Sequence, residues 1–180
     1  MEFLQSRIAW EGKWRVRVDT VRMADGRTHE RGFIEHPGAV VLVPLVKEAD
    51  GGYEVLMLRQ YRRALEQTIL ELPAGTREGD EPWLVCAQRE LREETGYRGE
   101  TFTDLGEVWP APGSSNERMA LFLVEGLSAA PLPMDEDEEI ATETWSLDEL
   151  VAMALDGRLE DAKSVVALLR AANYLRLNQL

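Results

Sequence analysis

A mixed α/β (α+β) sandwich, in which helices enclose a sheet on both faces, is the fold class that the 180-residue sequence predicts. Three observations carry that expectation. The run AVVLVPLV is apolar without alternation, as suits a central strand buried on both faces. The stretch after Pro82 repeats apolar residues at helical spacing and stops at Gly96. More strand patterns follow it, and two helical patterns close the chain, so the order strands, helix, strands, helices supplies a helical layer for each face.

From the amino terminus, residues 14–18 alternate bulky and charged side chains, the pattern of a half-buried strand. Asp25-Gly26 reads as a hairpin turn into a second strand through Phe33 and Ile34. Residues 1–36 are therefore expected to form an antiparallel strand piece beside a main domain at 37–180. Exposed strand edges pair readily with another chain, which makes this piece the expected dimer contact. After His36-Pro37-Gly38 comes the apolar run, then Asp50-Gly51-Gly52 turns the chain into EVLMLRQYR as its partner strand.

A short strand over 69–72 leads to Pro73-Ala74-Gly75, where a glycine-bearing loop is expected to run up to the helix. Pro82 suits a first helical turn, Asp80 and Glu81 place negative charge at the positive end of the helix dipole, and Gly96 terminates. Leu84, Ala87 and Leu91 supply its apolar side. Residues 102–109 and 119–125 read as two strands around the loop 110–116, and residues 140–145 as another. Ser146 with Glu149 has the spacing of a capping box, Gly157 ends that helix, and Asp161 starts a last amphipathic helix ending near Leu177.

Composition excludes several classes of function. Hydrophobic residues make up 44% and charged residues 29%, ordinary proportions for a soluble globular chain. No apolar run approaches the ~20 residues that span a bilayer, and MEFLQSRIAW lacks the pattern of a secretion signal, so the expected compartment is the cytoplasm and no membrane partner is expected. The net charge of -13 would repel a polyanion, which argues against nucleic acid as a partner. The lone Cys86 reads as a buried, reduced thiol.

The chemistry is concentrated between Gly75 and Tyr97. Glu90, Glu93 and Glu94 stand at relative positions 0, +3 and +4, which sets three carboxylates on one helix face. Like charges so close destabilise a helix unless a cation sits among them, and hard oxygens select Mg²⁺ or Mn²⁺ over zinc.

This stretch, GTREGDEPWLVCAQRELREETGY, resembles the Nudix box of hydrolases that act on nucleoside diphosphates linked to another group. Gly75, Glu81, Arg89, Glu90, Leu91, Glu93, Glu94, Gly96 and Tyr97 occupy the positions that the box specifies. The resemblance covers nearly the whole chain and implies the α/β/α sandwich of that family, with 37–180 as the Nudix domain. It assigns Glu90, Glu93 and Glu94 to the metal and to catalysis, adds the Ala74 carbonyl as a neutral ligand, and gives Arg89 the task of orienting the glutamates.

Outside the box, ELPAG, Pro112 sixteen residues after Gly96, and an acidic segment followed by GRLEDAKSVVAL resemble ADP-ribose pyrophosphatases. The implied reaction is metal-dependent hydrolysis of the ADP-ribose pyrophosphate bond to AMP and ribose 5-phosphate. Arg62 then matches a phosphate contact, Arg31 an adenine contact, and Pro112 with Gly113 the loop over the ribose side; Trp14 is a candidate for adenine's other face. The run Asp135 to Glu139 reads by composition as a solvated loop. The resemblance instead gives it the glutamate that acts on the attacking water, Glu136 first and Glu138 second. It also implies a homodimer with strands exchanged between subunits. FAD, NADH or a diadenosine polyphosphate stand as alternative substrates, and a non-catalytic ADP-ribose sensor as an alternative of another class.

Overall fold

The computed structural model describes residues 1–48, 51–133 and 139–178. The chain opens with β1 (Glu2–Glu11), β2 (Arg15–Arg22) and β3 (Thr28–Glu35), then β4 (Ala39–Lys47), β5 (Tyr53–Arg62), β6 (Gln67–Glu71) and β7 (Ala74–Thr76). The helix α1 (Trp83–Thr95) follows, and after it β8 (Tyr97–Arg98), β9 (Thr101–Val108), β10 (Met119–Glu125), β11 (Ser128–Ala129) and β12 (Ile140–Ser146). Helices α2 (Leu147–Asp156) and α3 (Ala162–Asn178) close the fold.

The main sheet runs β12-β5-β4-β10-β9, with β6 on β5 and β7 on β4. It is mixed: β10 lies parallel to β4, and the other pairs are antiparallel. Alternation along β4 feeds two cores. Val41, Val43 and Leu45 face α2 and α3, whereas Val40 and Leu42 face α1. Both faces are thus dry, which is why AVVLVPLV carries no polar alternation. The expected sandwich, with its mixed central sheet between helical layers, is the fold observed.

The first three strands form a separate antiparallel sheet in the order β1-β2-β3. The turn at Asp25-Gly26 is as expected: Gly26 takes φ 83°, its N–H donates to Met23 O, and Met23 N–H donates to Arg27 O. The strand β1 is an addition to the sequence reading. Nine of its ten residues are exposed, so no buried face imposes a period of two on EFLQSRIAWE. This sheet meets the main domain through the loop before β10. Ile34 N–H donates to Ser114 O at 2.8 Å, and His36 N–H to Asn116 Oδ1 at 2.8 Å.

Four local expectations are corrected. Leu84 is 45% exposed, and the buried side of α1 is instead Cys86, Ala87, Glu90, Leu91 and Glu94. Pro82 stands just outside α1 as its cap residue, and Glu81 turns away from the helix start toward Arg89. Residues 74–76 are a strand on β4 where a loop was expected. Ser146 occupies the cap position of α2, but its hydroxyl makes no capping bond among the described residues, so the capping box with Glu149 does not form. Gly96 and Gly157 do end their helices in the left-handed conformation, at φ 77° and 85°. No helix among the described residues is long and apolar enough to cross a membrane.

Candidate active site

The strand β7 and the helix α1 build the site between them. At Gly75 the strand passes so close to the helix that a Cβ there would stand 1.7 Å from Glu90 Cδ. Only a glycine permits that approach. One residue earlier, Ala74 N–H donates to Glu94 Oε2 at 2.8 Å, and one later, Thr76 O accepts from Arg89 Nη2 at 3.2 Å. Glu90 and Glu94 are nearly enclosed, at 8% and 5% exposure, while Glu93 is half-buried.

Arg89 is the hub of the cluster. Its Nε and Nη2 hold the two oxygens of Glu81 at 3.1 and 3.0 Å, and its Nη1 reaches Glu90 Oε1 at 2.7 Å and Glu93 Oε2 at 2.8 Å. The hydrogen bonds that Arg89 donates to Glu81 lead both in raising the Arg89 pKa and in lowering that of Glu81. Burial, with the charges of Glu90 and Glu81 added, pushes the Cys86 thiol up, so Cys86 stays a neutral thiol, in keeping with its buried reduced reading.

A cleft of about 890 Å³ opens over these groups. Ala74, Gly75, Arg89, Glu90 and Glu93 form its floor, Arg62 stands in its wall, and residues 12–15 of the amino-terminal sheet reach its rim. Trp14 lies there, its ring tilted 48° against that of Trp10 at 4.6 Å between centroids. The structure thus brings Ala74, Glu90, Glu93, Arg62 and Trp14 to one cleft, with Glu94 bonded to the strand behind it.

Arg31, Pro112 and Gly113 are not among the residues lining this cleft. Arg31 lies exposed on β3, and Pro112 and Gly113 lie in the exposed loop whose next residues bond β3. Glu136 and Glu138 fall outside the described residues. Sequence reasoning missed His36, which lines the cleft with its Nδ1 accepting from Gly38 N–H at 3.1 Å, and Arg77, which stacks over Trp83 at 4.1 Å and donates to Glu81 O. It also missed Glu71 and Lys163 behind Arg62. The motifs HPG and DAK marked both regions, but nothing local shows what they face.

Among the described residues, no three carboxylate, imidazole or thiolate side chains are gathered as a metal-binding group. The physical reason is Arg89, whose guanidinium lies among Glu81, Glu90 and Glu93, with Glu94 drawn to Ala74 N–H. The donor set nonetheless fits a hard divalent ion. Glu90 and Glu93 each bring an oxygen within 2.8 Å of one cationic nitrogen, so the carboxylates already converge on a positive charge.

A family model described as the NUDIX domain matches residues 36–168. The chain is 35% identical to the "Methanol dehydrogenase activator" of Bacillus methanolicus, over 92% of this chain and 86% of that protein. It is 33% identical to the "ADP-ribose pyrophosphatase" of Bacillus subtilis (strain 168), over 90% of this chain and 84% of that one. Among solved structures, the crystal structure of an ADP compounds hydrolase superposes with a TM-score of 0.81 at 22% identity, covering 98% of this chain and 94% of that chain. That likeness speaks to the fold.

Proposed function

The chain belongs to the Nudix hydrolase family, and from that premise we propose that it hydrolyses the pyrophosphate bond of ADP-ribose to AMP and ribose 5-phosphate with the help of Mg²⁺ or Mn²⁺. The observation that carries the reading is the cleft itself: carboxylates of Glu90 and Glu93 at its floor face an arginine, Arg62, in its wall. Metal and arginine together suit a diphosphate, and neither alone would neutralise one beside so many carboxylates. The 33% identity to an ADP-ribose pyrophosphatase over most of both chains supports the choice of substrate.

Glu90, Glu93 and Glu94 with the Ala74 carbonyl would hold the metal. When bound, it would neutralise developing charge on phosphorus and make the attacking water more acidic. Arg89 keeps Glu90 and Glu93 aligned at 2.7 and 2.8 Å. Arg62 holds a phosphate oxygen, and Pro112 with Gly113 and Arg31 serve the ribose and adenine side. Water attacks one phosphorus, the bridging P–O bond breaks, and the proton passes to Glu136. The working unit in this reading is a homodimer.

The test is turnover of ADP-ribose, FAD, NADH and a diadenosine polyphosphate, each with Mg²⁺ and with chelator. The expected outcome is metal-dependent hydrolysis with kcat/KM highest for ADP-ribose by about tenfold, roughly 1.4 kcal/mol of discrimination. Glu90→Gln should abolish turnover and Glu136→Gln should chiefly lower kcat. A different best substrate would overturn the specificity, and binding of ADP-ribose without turnover would favour a sensor.

A further inference from the structure

Behind the cleft, α3 touches the phosphate-facing arginine through one buried carboxylate. Arg62 presents Nε and Nη2 to the two oxygens of Glu71, both at 2.8 Å, and Glu71 is wholly enclosed. Lys163, 11% exposed and near the start of α3, donates its Nζ to the same Glu71 oxygen that Arg62 Nη2 holds. Asp161 takes Lys163 Nζ from the other side at 3.0 Å and accepts from Ser164 N–H, while Ser164 Oγ takes the Leu72 N–H, tying β6 to the helix.

Two carboxylates and two cations balance overall, but not in pairs. A bidentate Arg62 would by itself neutralise Glu71, and bringing a second cation out of water onto the same carboxylate is costly unless it is itself held. Asp161 supplies that hold. Glu71 therefore divides its charge between two cations, so Arg62 draws less on that carboxylate than a bidentate pair alone would allow.

We propose that Lys163 is a positioning residue for the diphosphate subsite: by sharing Glu71 with Arg62, it sets how much of the arginine's charge remains for the ligand. This rests on reading Arg62 as a phosphate contact. Burial, the largest cause, works against the Arg62 charge, but Glu71, Glu94 and Asp161 together outweigh it, so its pKa is raised. The Asp161 charge at the start of α3 is thus felt at the cleft wall.

The test compares the wild type with Lys163→Gln, Asp161→Asn, Arg62→Gln and the Arg62→Gln/Lys163→Gln pair. Affinity for α,β-methylene-ADP with Mg²⁺, which cannot be hydrolysed at that bond, is measured by calorimetry. KM and kcat for ADP-ribose are measured alongside. Lys163→Gln should weaken binding about fivefold, the scale of one charge acting through a partly screened medium, and raise KM more than it lowers kcat. In the Arg62→Gln background it should add nothing. Asp161→Asn keeps the helix cap but removes the opposing charge, so it should tighten binding. Opposite signs for the two substitutions are what a purely structural role would not produce.

Equal loss from Lys163→Gln in both backgrounds, or shifts of the same sign, would overturn the proposal. If the wild type binds no methylene-ADP, the functional reading falls, and hydrogen exchange at Arg62 Nε–H decides the coupling. Exchange should slow in Lys163→Gln, where Glu71 serves one cation, and quicken in Asp161→Asn; unchanged rates would overturn it. If Lys163→Gln fails to fold, the sign of the Asp161→Asn effect carries the decision.

Discussion

Gly75 shapes the cleft floor by the one atom it lacks. A methyl group there would overlap the Glu90 carboxyl at 1.7 Å, so Gly75→Ala must push Glu90 from the cleft floor or part β7 from α1. The expected outcome is a kcat lower by about 100-fold, the cost typical of misplacing a reacting group by an ångström, with a Tm that falls but leaves a folded protein. Stopped assays and a thermal melt check it. A Gly75→Ala enzyme with full turnover would show that Glu90 is not where the chemistry occurs.

His36 offers a second test at this scale. Burial leads in lowering its pKa, and Glu117, 3.8 Å away, only partly opposes that. The folded state therefore favours neutral His36, whose Nδ1 accepts from Gly38 N–H. Between its folded pKa and the ordinary 6.5, the unfolded chain binds the extra proton, so stability is full above pH 6.5 and falls as pH drops through that window. His36→Gln should flatten the dependence of Tm on pH there. The glutamates at 0, +3 and +4 were legible because helical spacing alone sets them on one face. His36 and Lys163 were not, since Asn116, which binds the His36 N–H, and Glu71, which binds Lys163, lie 80 and 92 positions away.

The element scale shows where a motif in the sequence forms its bond and where it does not. Both α2 and α3 begin with a good cap residue, yet only Asp161 accepts from the third residue on, Ser164 N–H at 3.1 Å, while Ser146 makes no such bond among the described residues. Asp161→Ala should cost about 1 to 2 kcal/mol, and Ser146→Ala should stay within about 0.5 kcal/mol, by urea unfolding of each. Equal costs would contradict the geometry. The same limit applies to Leu84, which matches helical spacing in α1 and yet faces solvent at 45% exposure. Periodicity names a stripe of residues but not its centre. In α1 the buried stripe is shifted toward Glu90 and Glu94, because β7 and the β4–β10 pair lie on that side. β4, by contrast, was legible from Ala39 to Leu45, since covering both faces of a strand leaves that stretch with no polar side chain.

For the whole molecule the open question is what covers the amino-terminal sheet. Its first strand exposes Phe3, Ile8 and Trp10 at 56, 50 and 49%, and among the described residues its outer edge has no neighbour in the order β1-β2-β3. An edge of that length with apolar side chains invites pairing with a second copy. Arg31, expected at the adenine, and Pro112 with Gly113, expected over the ribose side, do not line the cleft of their own chain. A partner copy that brought such residues to the cleft would complete the site, and assembly would then be a condition of substrate affinity. The double substitution Phe3→Asp and Ile8→Asp touches neither cleft nor core, so it should yield a monomer by sedimentation, with far-ultraviolet circular dichroism unchanged. KM for ADP-ribose should rise about tenfold, the loss of roughly 1.4 kcal/mol of contact with the adenosine half. Diluting the wild type should reproduce that rise. A double variant that remains a dimer would move the interface elsewhere, and a monomer with unchanged KM would show that one chain carries the complete site.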